Sequence, residues 1–194
     1  ALPILDTNND GSLTPEDRVA LGTPYPDFTW GITNTFQIKD FDISFLIQGV
    51  QGITVLNGDV YYNETKKWNK KYTKNRWVSA EHPGDGKTPY QNVKTGHDLM
   101  LTDYPLQNAS YACLRNFTVG YTLPATAARK IKLSGVRFYV SGSNLFYIWG
   151  SGYKGINPES RMTSGDYSSA MISGYQRGGF PLTSTISAGF DINF

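Results

Sequence analysis

Ile186-Ser187-Ala188-Gly189-Phe190-Asp191-Ile192-Asn193-Phe194, the last nine residues, put apolar side chains on every second position and end on an aromatic. Alternation at period two means a strand with one apolar and one polar face. A soluble protein seldom caps such a strand with an exposed aromatic. The closing strand of a bacterial outer-membrane barrel has reason to, because one side meets lipid and the other the lumen. The stretch therefore predicts a membrane-facing strand.

Four more stretches repeat the pattern upstream. Residues 28–38 place Phe28, Trp30, Ile32, Phe36 and Ile38 on one face. Residues 41–50 set Phe41, Ile43, Phe45 and Ile47 against Asp42, Ser44 and Gln48. Residues 111–123 set Phe117, Val119, Tyr121 and Leu123 against Asn116, Thr118 and Thr122. Residues 136–145 set Val136, Phe138 and Val140 against Arg137, Tyr139 and Ser141. The fifth strand is residues 183–194. Each runs about ten residues, the ~9–11 a tilted strand needs to cross a bilayer and more than the ~5–6 usual in globular sheets.

Composition agrees with this class and excludes others. With 194 residues, 20 Gly and 13 Tyr, the chain suits a single β domain with long loops better than a helical bundle. No run approaches the ~18 apolar residues of a spanning helix. The net charge of +2 is too small to call for a polyanionic partner. Cys113 is the single cysteine, so neither an internal disulfide nor a cysteine zinc site is available. Ala1-Leu2-Pro3-Ile4-Leu5 is too short to be a signal peptide, and an exported protein would carry its leader upstream.

The connections alternate in length. Lys39-Asp40 is a two-residue turn, and some sixty residues then separate the second and third strands. About a dozen residues around Pro124 to Ser134 follow, and nearly forty precede the last strand. Short periplasmic turns and long external loops are the barrel pattern. With residues 1–27 forming an extracellular loop, five crossings bring Phe194 to the periplasm. Five strands cannot close, since the smallest membrane barrels need ~8 and lipid tolerates no open edge. The expected fold is all-β: residues 1–194 as the C-terminal strands of a large antiparallel transmembrane β-barrel with long extracellular loops, the plug and earlier strands lying elsewhere.

Asp6-x-Asn8-x-Asp10-Gly11-Ser12-x-Thr14-x-x-Asp17 follows the twelve-residue calcium loop. Asp6, Asn8, Asp10 and Thr14 supply side-chain oxygens, Ser12 its carbonyl, and Gly11 the tight turn. Asp17 stands where a longer Glu normally binds through both oxygens, which implies weaker binding or a bridging water. The competing reading is a turn closed by Asx hydrogen bonds. The expectation is a structural Ca2+ that stiffens the loop.

Three other motifs carry less. Lys66, Lys67, Lys70, Lys71, Lys74 and Arg76, interleaved with Trp68, Tyr72 and Trp77, have the ingredients of base stacking, yet in an external loop they read as a solvated face meeting lipid headgroups or a protein. No nucleic-acid partner is expected. Tyr61, Tyr62, Trp68 and Trp77 suit sugar stacking or loop packing, of which packing is the simpler. Gly150-x-Gly152-x-x-Gly155 matches a dinucleotide fingerprint by spacing only, because Pro158 follows where a helix is required. His82 and His97, the two histidines, have no metal or triad spacing, and Asn63, Asn108 and Asn116 lie in sequons without meaning at a bacterial outer membrane. No catalytic residue is expected.

The ordered segments resemble the SusC/RagA-type TonB-dependent outer-membrane transporters along nearly the whole chain. The matching stretches are Asp6-Thr7-Asn8-Asn9-Asp10-Gly11 with Asp17-Arg18; Gly22-Thr23-Pro24-Tyr25-Pro26-Asp27-Phe28; Phe41-Asp42-Ile43-Ser44 through Gln48-Gly49-Val50-Gln51-Gly52; and Arg76-Trp77 with His82-Pro83, where the family usually has Asn in place of His82. Ser110-Tyr111, Leu114-Arg115-Asn116 and Gly120-Tyr121-Thr122-Leu123-Pro124 match best, and Val140-Ser141-Gly142-Ser143-Asn144-Leu145-Phe146 and Asn157-Pro158-Glu159 complete the series. The resemblance implies a Gram-negative outer-membrane importer of oligosaccharides or peptides, with no covalent chemistry. It also implies a SusD-type surface lipoprotein as partner, dimerisation of that complex, and TonB engaged through an N-terminal part. Two rivals stay open on the residues alone: a passive porin, and a secreted carbohydrate-binding β-sandwich using Trp68 and Trp77.

Overall fold

The computed structural model describes residues 6–12, 14–17, 19–59, 75–86, 88, 102–160, 174–177 and 179–194. Of the residues singled out above, residues 1–5, Arg18, Tyr61, Tyr62, Asn63, Trp68, Tyr72, His97 and the lysines from Lys66 to Lys74 lie outside that set. Strands β1 (Phe28–Ile38), β2 (Phe41–Gln51), β3 (Thr54–Asn57), β4 (Leu106–Asn108) and β5 (Tyr111–Thr122) come first. A short helix α1 (Ala125–Lys130) precedes β6 (Gly135–Trp149), β7 (Tyr175–Gln176) and β8 (Thr185–Asn193).

Five long strands form one antiparallel wall in the order β1-β2-β5-β6-β8. These are the five stretches expected from alternation. The main difference is that β6 runs on to Trp149, six residues beyond its pairing with β8 at Ser143↔Thr185. Turn and loop ends also fall as the connection lengths require. Ile38↔Phe41, Tyr121↔Phe138 and Gly135↔Asn193 lie at one end, where α1 bridges β5 and β6; the long connections leave from the other. Among the described residues the wall does not close on itself.

Register gives the wall two different faces. Partners across an antiparallel ladder point the same way. One face carries Ile32, Phe36 and Ile38 of β1, Phe41, Ile43 and Phe45 of β2, Val119 and Tyr121 of β5, Phe138 and Val140 of β6, and Ile186, Phe190 and Ile192 of β8. Most of these side chains remain open, with Ile186 at 75% and Phe190 at 66% exposure, while Ile43, Phe45, Val119 and Tyr121 are half-buried. So large an apolar surface on a twisted sheet requires a nonaqueous neighbour, which a bilayer supplies. A two-sheet sandwich would bury this face, so that rival is set aside. Gly49 sits beneath the Trp30 ring on the same side, where a Cβ would collide with the indole.

The opposite face is polar. At its mid-height Thr35, Ser44, Thr118, Ser141 and Ser187 stand in register across all five strands, a row of small hydroxyls. At the loop end this face is covered. Strands β4, β3 and β7 form a second, three-stranded sheet, antiparallel between β3 and β4 and parallel between β3 and β7. Val55 of β3, with Ile53 and Ala109 beside the platform strands and Tyr153 after β6, buries Val50, Tyr111 and Cys113 of the wall. The only tight core of the described residues lies at that junction, not within the wall.

Candidate functional site

Two arginine clusters mark the polar face. Toward the turn end, Arg137 of β6 reaches across β5 to Asp42 of β2, with Nη2 donating to Oδ2 at 2.7 Å and Nε to Oδ1 at 3.0 Å. Its Nη1 donates the other way to Asp191 of β8 at 3.4 Å. Gly120 lies between, and a Cβ there would strike both the Asp42 carboxylate and the Arg137 guanidinium. One cation thus ties three strands together, over a fourth that lacks a side chain. The Arg137–Asp42 pair is about one-third open and Asp191 is more than half exposed, so the pairs orient the face more than they stabilise it.

Nearer the loop end, Arg115 stands at an irregularity in β5, where pairing shifts against both β2 and β6. A bulge of this kind re-aims a side chain. Arg115 donates to Glu159 through Nη2 to Oε1 at 2.6 Å and Nη1 to Oε2 at 3.3 Å. Nη1 also reaches Asn144 Oδ1 at 2.8 Å and the Tyr147 hydroxyl at 3.0 Å, and Nε reaches Gln48 Oε1 at 3.4 Å. The Tyr147 hydroxyl donates in turn to Glu159 Oε1 at 3.0 Å. Two parallel bonds between guanidinium and carboxylate are the strong form of such a pair.

Above this cluster the platform is joined by buried amides. Asn57 Nδ2 donates to Gln107 Oε1 at 3.0 Å, and the Lys154 N–H donates to the same oxygen at 2.9 Å. The Tyr153 hydroxyl donates to Gln176 Oε1 at 2.8 Å, while Gln176 Nε2 donates to the carbonyls of Pro158 and Ser160. Among the described residues no buried side-chain nitrogen or oxygen lacks a partner. Sequence reading missed this arrangement. Asn57, Gln107 and Gln176 sit on strands of two to four residues, too short to show periodicity.

The acidic loop is placed apart from both clusters. Asp6 accepts the N–H groups of Asp10 and Gly11, Asn8 Oδ1 accepts that of Asp10, and Asp10 Oδ1 accepts that of Ser12. Asp17 closes the loop, taking the Thr7 N–H at 2.9 Å and the Thr14 N–H at 2.7 Å. Those two backbone donors hold the Asp17 carboxyl below the ordinary aspartate range. Gly11 has φ 79°, the turn its place in the motif requires. Among the described residues no three His, Cys, Asp or Glu side chains converge as a metal site. The carboxylates face backbone N–H groups, as the Asx-turn alternative specifies. Further on, residues 151–160 contain no helix, so the glycines at 150, 152 and 155 hold no dinucleotide motif.

No family model matches the chain. Curated relatives do. TonB-dependent receptor P3 of Formosa agariphila is 30% identical over 197 residues, spanning 97% of this chain and 18% of the relative. TonB-dependent receptor P26 of the same organism is 29% identical over 199 residues, spanning 97% and 19%. TonB-dependent receptor SusC of Bacteroides thetaiotaomicron is 26% identical over 191 residues, spanning 98% and 17%. Among solved structures, the RagAB peptide importer in its closed-closed state superposes with a TM-score of 0.63 at 21% identity, over 90% of this chain and 18% of that one. The chain therefore spans under a fifth of the length of the relatives it matches.

Proposed function

We propose that this chain belongs to the SusC/RagA-type TonB-dependent outer-membrane transporters and forms the C-terminal wall of an importer that takes up oligosaccharides or peptides. The observation that carries the reading is the two-faced wall: an open apolar face for lipid, and a polar face roofed at its loop end by an ordered platform. The loop end faces outward in this reading and Asn193 faces the periplasm. A SusD-type lipoprotein covers the outer mouth, the pair dimerises, and TonB acts through another part of the full-length protein.

The experiment is uptake by the full-length transporter in its native host, with growth on oligosaccharide or peptide mixtures as the readout. Loss of uptake on deleting either the gene or TonB supports the reading. Uptake that persists without TonB returns the passive porin. Deleting residues 66–74, the basic and aromatic loop stretch, is expected to weaken co-purification of the lipoprotein while the barrel still inserts.

The acidic loop carries a separate proposal: Asp6, Asn8, Asp10, Ser12, Thr14 and Asp17 take up Ca2+ in a structural role. Ligand spacing and the Gly11 turn support it. The carboxylates already accept backbone N–H groups, which take part of their lone-pair capacity, so affinity is expected to be modest. Titration calorimetry of the full-length protein checks this: the D6A/D10A pair should abolish binding and Asp17→Glu should tighten it. Identical heats for all three proteins would leave only the Asx-closed turn.

A further inference from the structure

Three sequence stretches that carry the family resemblance meet at one guanidinium. Leu114-Arg115-Asn116 supplies Arg115, Ser143-Asn144-Leu145-Phe146 supplies Asn144, and Asn157-Pro158-Glu159 supplies Glu159. The first two belong to wall strands. The third lies in the connection after β6, where the Glu159 N–H is set by Asn157 Oδ1 at 2.9 Å and Asn157 Nδ2 donates to the Phe180 carbonyl at 3.1 Å. Resting on the family placement above, we propose that Arg115 is a positioning residue that clamps this connection to the inner wall, so that the loop platform is a fixed ledge of the barrel and not a lid.

Three observations support a fixed ledge. The Arg115–Glu159 pair is a charged tie between the wall and the connection that joins the platform, and it is two-pronged. Both its side chains are about three-quarters covered, at 22% and 26% exposure, so bulk water screens them only in part. On its far side the same connection is held by Gln176, whose amide grips the Pro158 and Ser160 carbonyls on either side of Glu159. Swinging the platform away would strip Arg115 of Glu159 and leave Cys113 and Tyr111 of the wall uncovered. Motion that admits a ligand must then come from other parts of the transporter or its partner. The clamp also explains why β5 is irregular at this point, since an unbroken ladder would aim residue 115 by strict alternation.

The test uses the full-length transporter purified with its native partner. Hydrogen exchange of residues 151–160 is compared among wild type, Glu159→Gln, Glu159→Ala and Arg115→Lys, with β8 as the internal control. Glu159→Gln keeps the shape and so guards against failure to assemble. We expect exchange in 151–160 to rise at least about tenfold in Glu159→Ala and Glu159→Gln, less in Arg115→Lys, with β8 unchanged. Unchanged exchange in both Glu159 variants overturns the clamp. So does rapid exchange of 151–160 in the wild type, which would make the platform a lid. Neither outcome depends on TonB, so failure here is distinguishable from failure of the import reading.

Discussion

The wall and the platform solve the same problem by opposite means. The wall satisfies its backbone with long ladders and buries almost nothing, leaving its apolar face for lipid. The platform has strands of two to four residues, yet it contains Ile53 and Val55 at 1% exposure and a closed set of buried amides. Backbone pairing alone holds an element when its solvent is a bilayer, because unpaired groups in lipid cost several kcal/mol each. Irregular chain over the polar face pairs its backbone partly with itself, as Asn57 N–H does with the Pro105 carbonyl, and partly through side chains, which is the part played by Gln107 and Gln176.

The sharpest way to break this contrast is to place charge on the wall's open face. Val140→Arg should cost about 2–4 kcal/mol in a bilayer. The readout is the urea midpoint for refolding the full-length barrel into vesicles, and a midpoint matching wild type would mean that the face does not meet lipid. Gln107→Leu probes the platform instead, removing the oxygen that accepts from both the Asn57 amide and the Lys154 N–H, at a cost of about 1–3 kcal/mol. Hydrogen exchange should quicken in β3 and β4 and stay unchanged in β8; equal quickening in both would merge the two regions into one cooperative unit.

Two glycines sharpen the comparison within the wall. Gly49→Ala drives a methyl into the rigid Trp30 indole, whereas Gly120→Ala meets the movable ends of Asp42 and Arg137. The first should cost about 1–3 kcal/mol and the second less than about 1 kcal/mol, measured by the same refolding midpoint. A larger penalty at Gly120 would show that the Arg137 bridge matters more than its exposure suggests.

The smallest effect concerns the acidic loop and pH. The folded-state pKa of Asp17 lies below its unfolded value, so its contribution is present above the ordinary aspartate range and is lost as pH falls through the lowered one. Amide protection at Thr7 and Thr14 should survive moderate acid and disappear only below the usual aspartate pKa. In Asp17→Asn that protection should be weaker and independent of pH over the same range.

Alternation made the wall legible from sequence, since a strand facing lipid on one side and polar surroundings on the other must repeat every two residues. Phe190-Asp191-Ile192 shows it in three letters. The limits of β6 were less legible, because Asn144 with φ 54° interrupts the repeat while the strand continues to Trp149. The site was legible only as fragments. Arg115, Asn144 and Glu159 each sat in a stretch marked by resemblance, but nothing in their spacing joined them.

The sequence by itself determined the class of surface each strand presents, the order in which the strands follow, and which end carries the long loops. Those properties are local, fixed by side-chain period and connection length. Tertiary structure alone decided that the described parts of the long connections lie over the polar face, that strands of two to four residues pair there, and that one guanidinium reaches Glu159 from a bulge 44 positions away in the chain. Contacts of that kind depend on which surfaces are brought within hydrogen-bond reach, and no period in the sequence encodes a distance across the barrel wall.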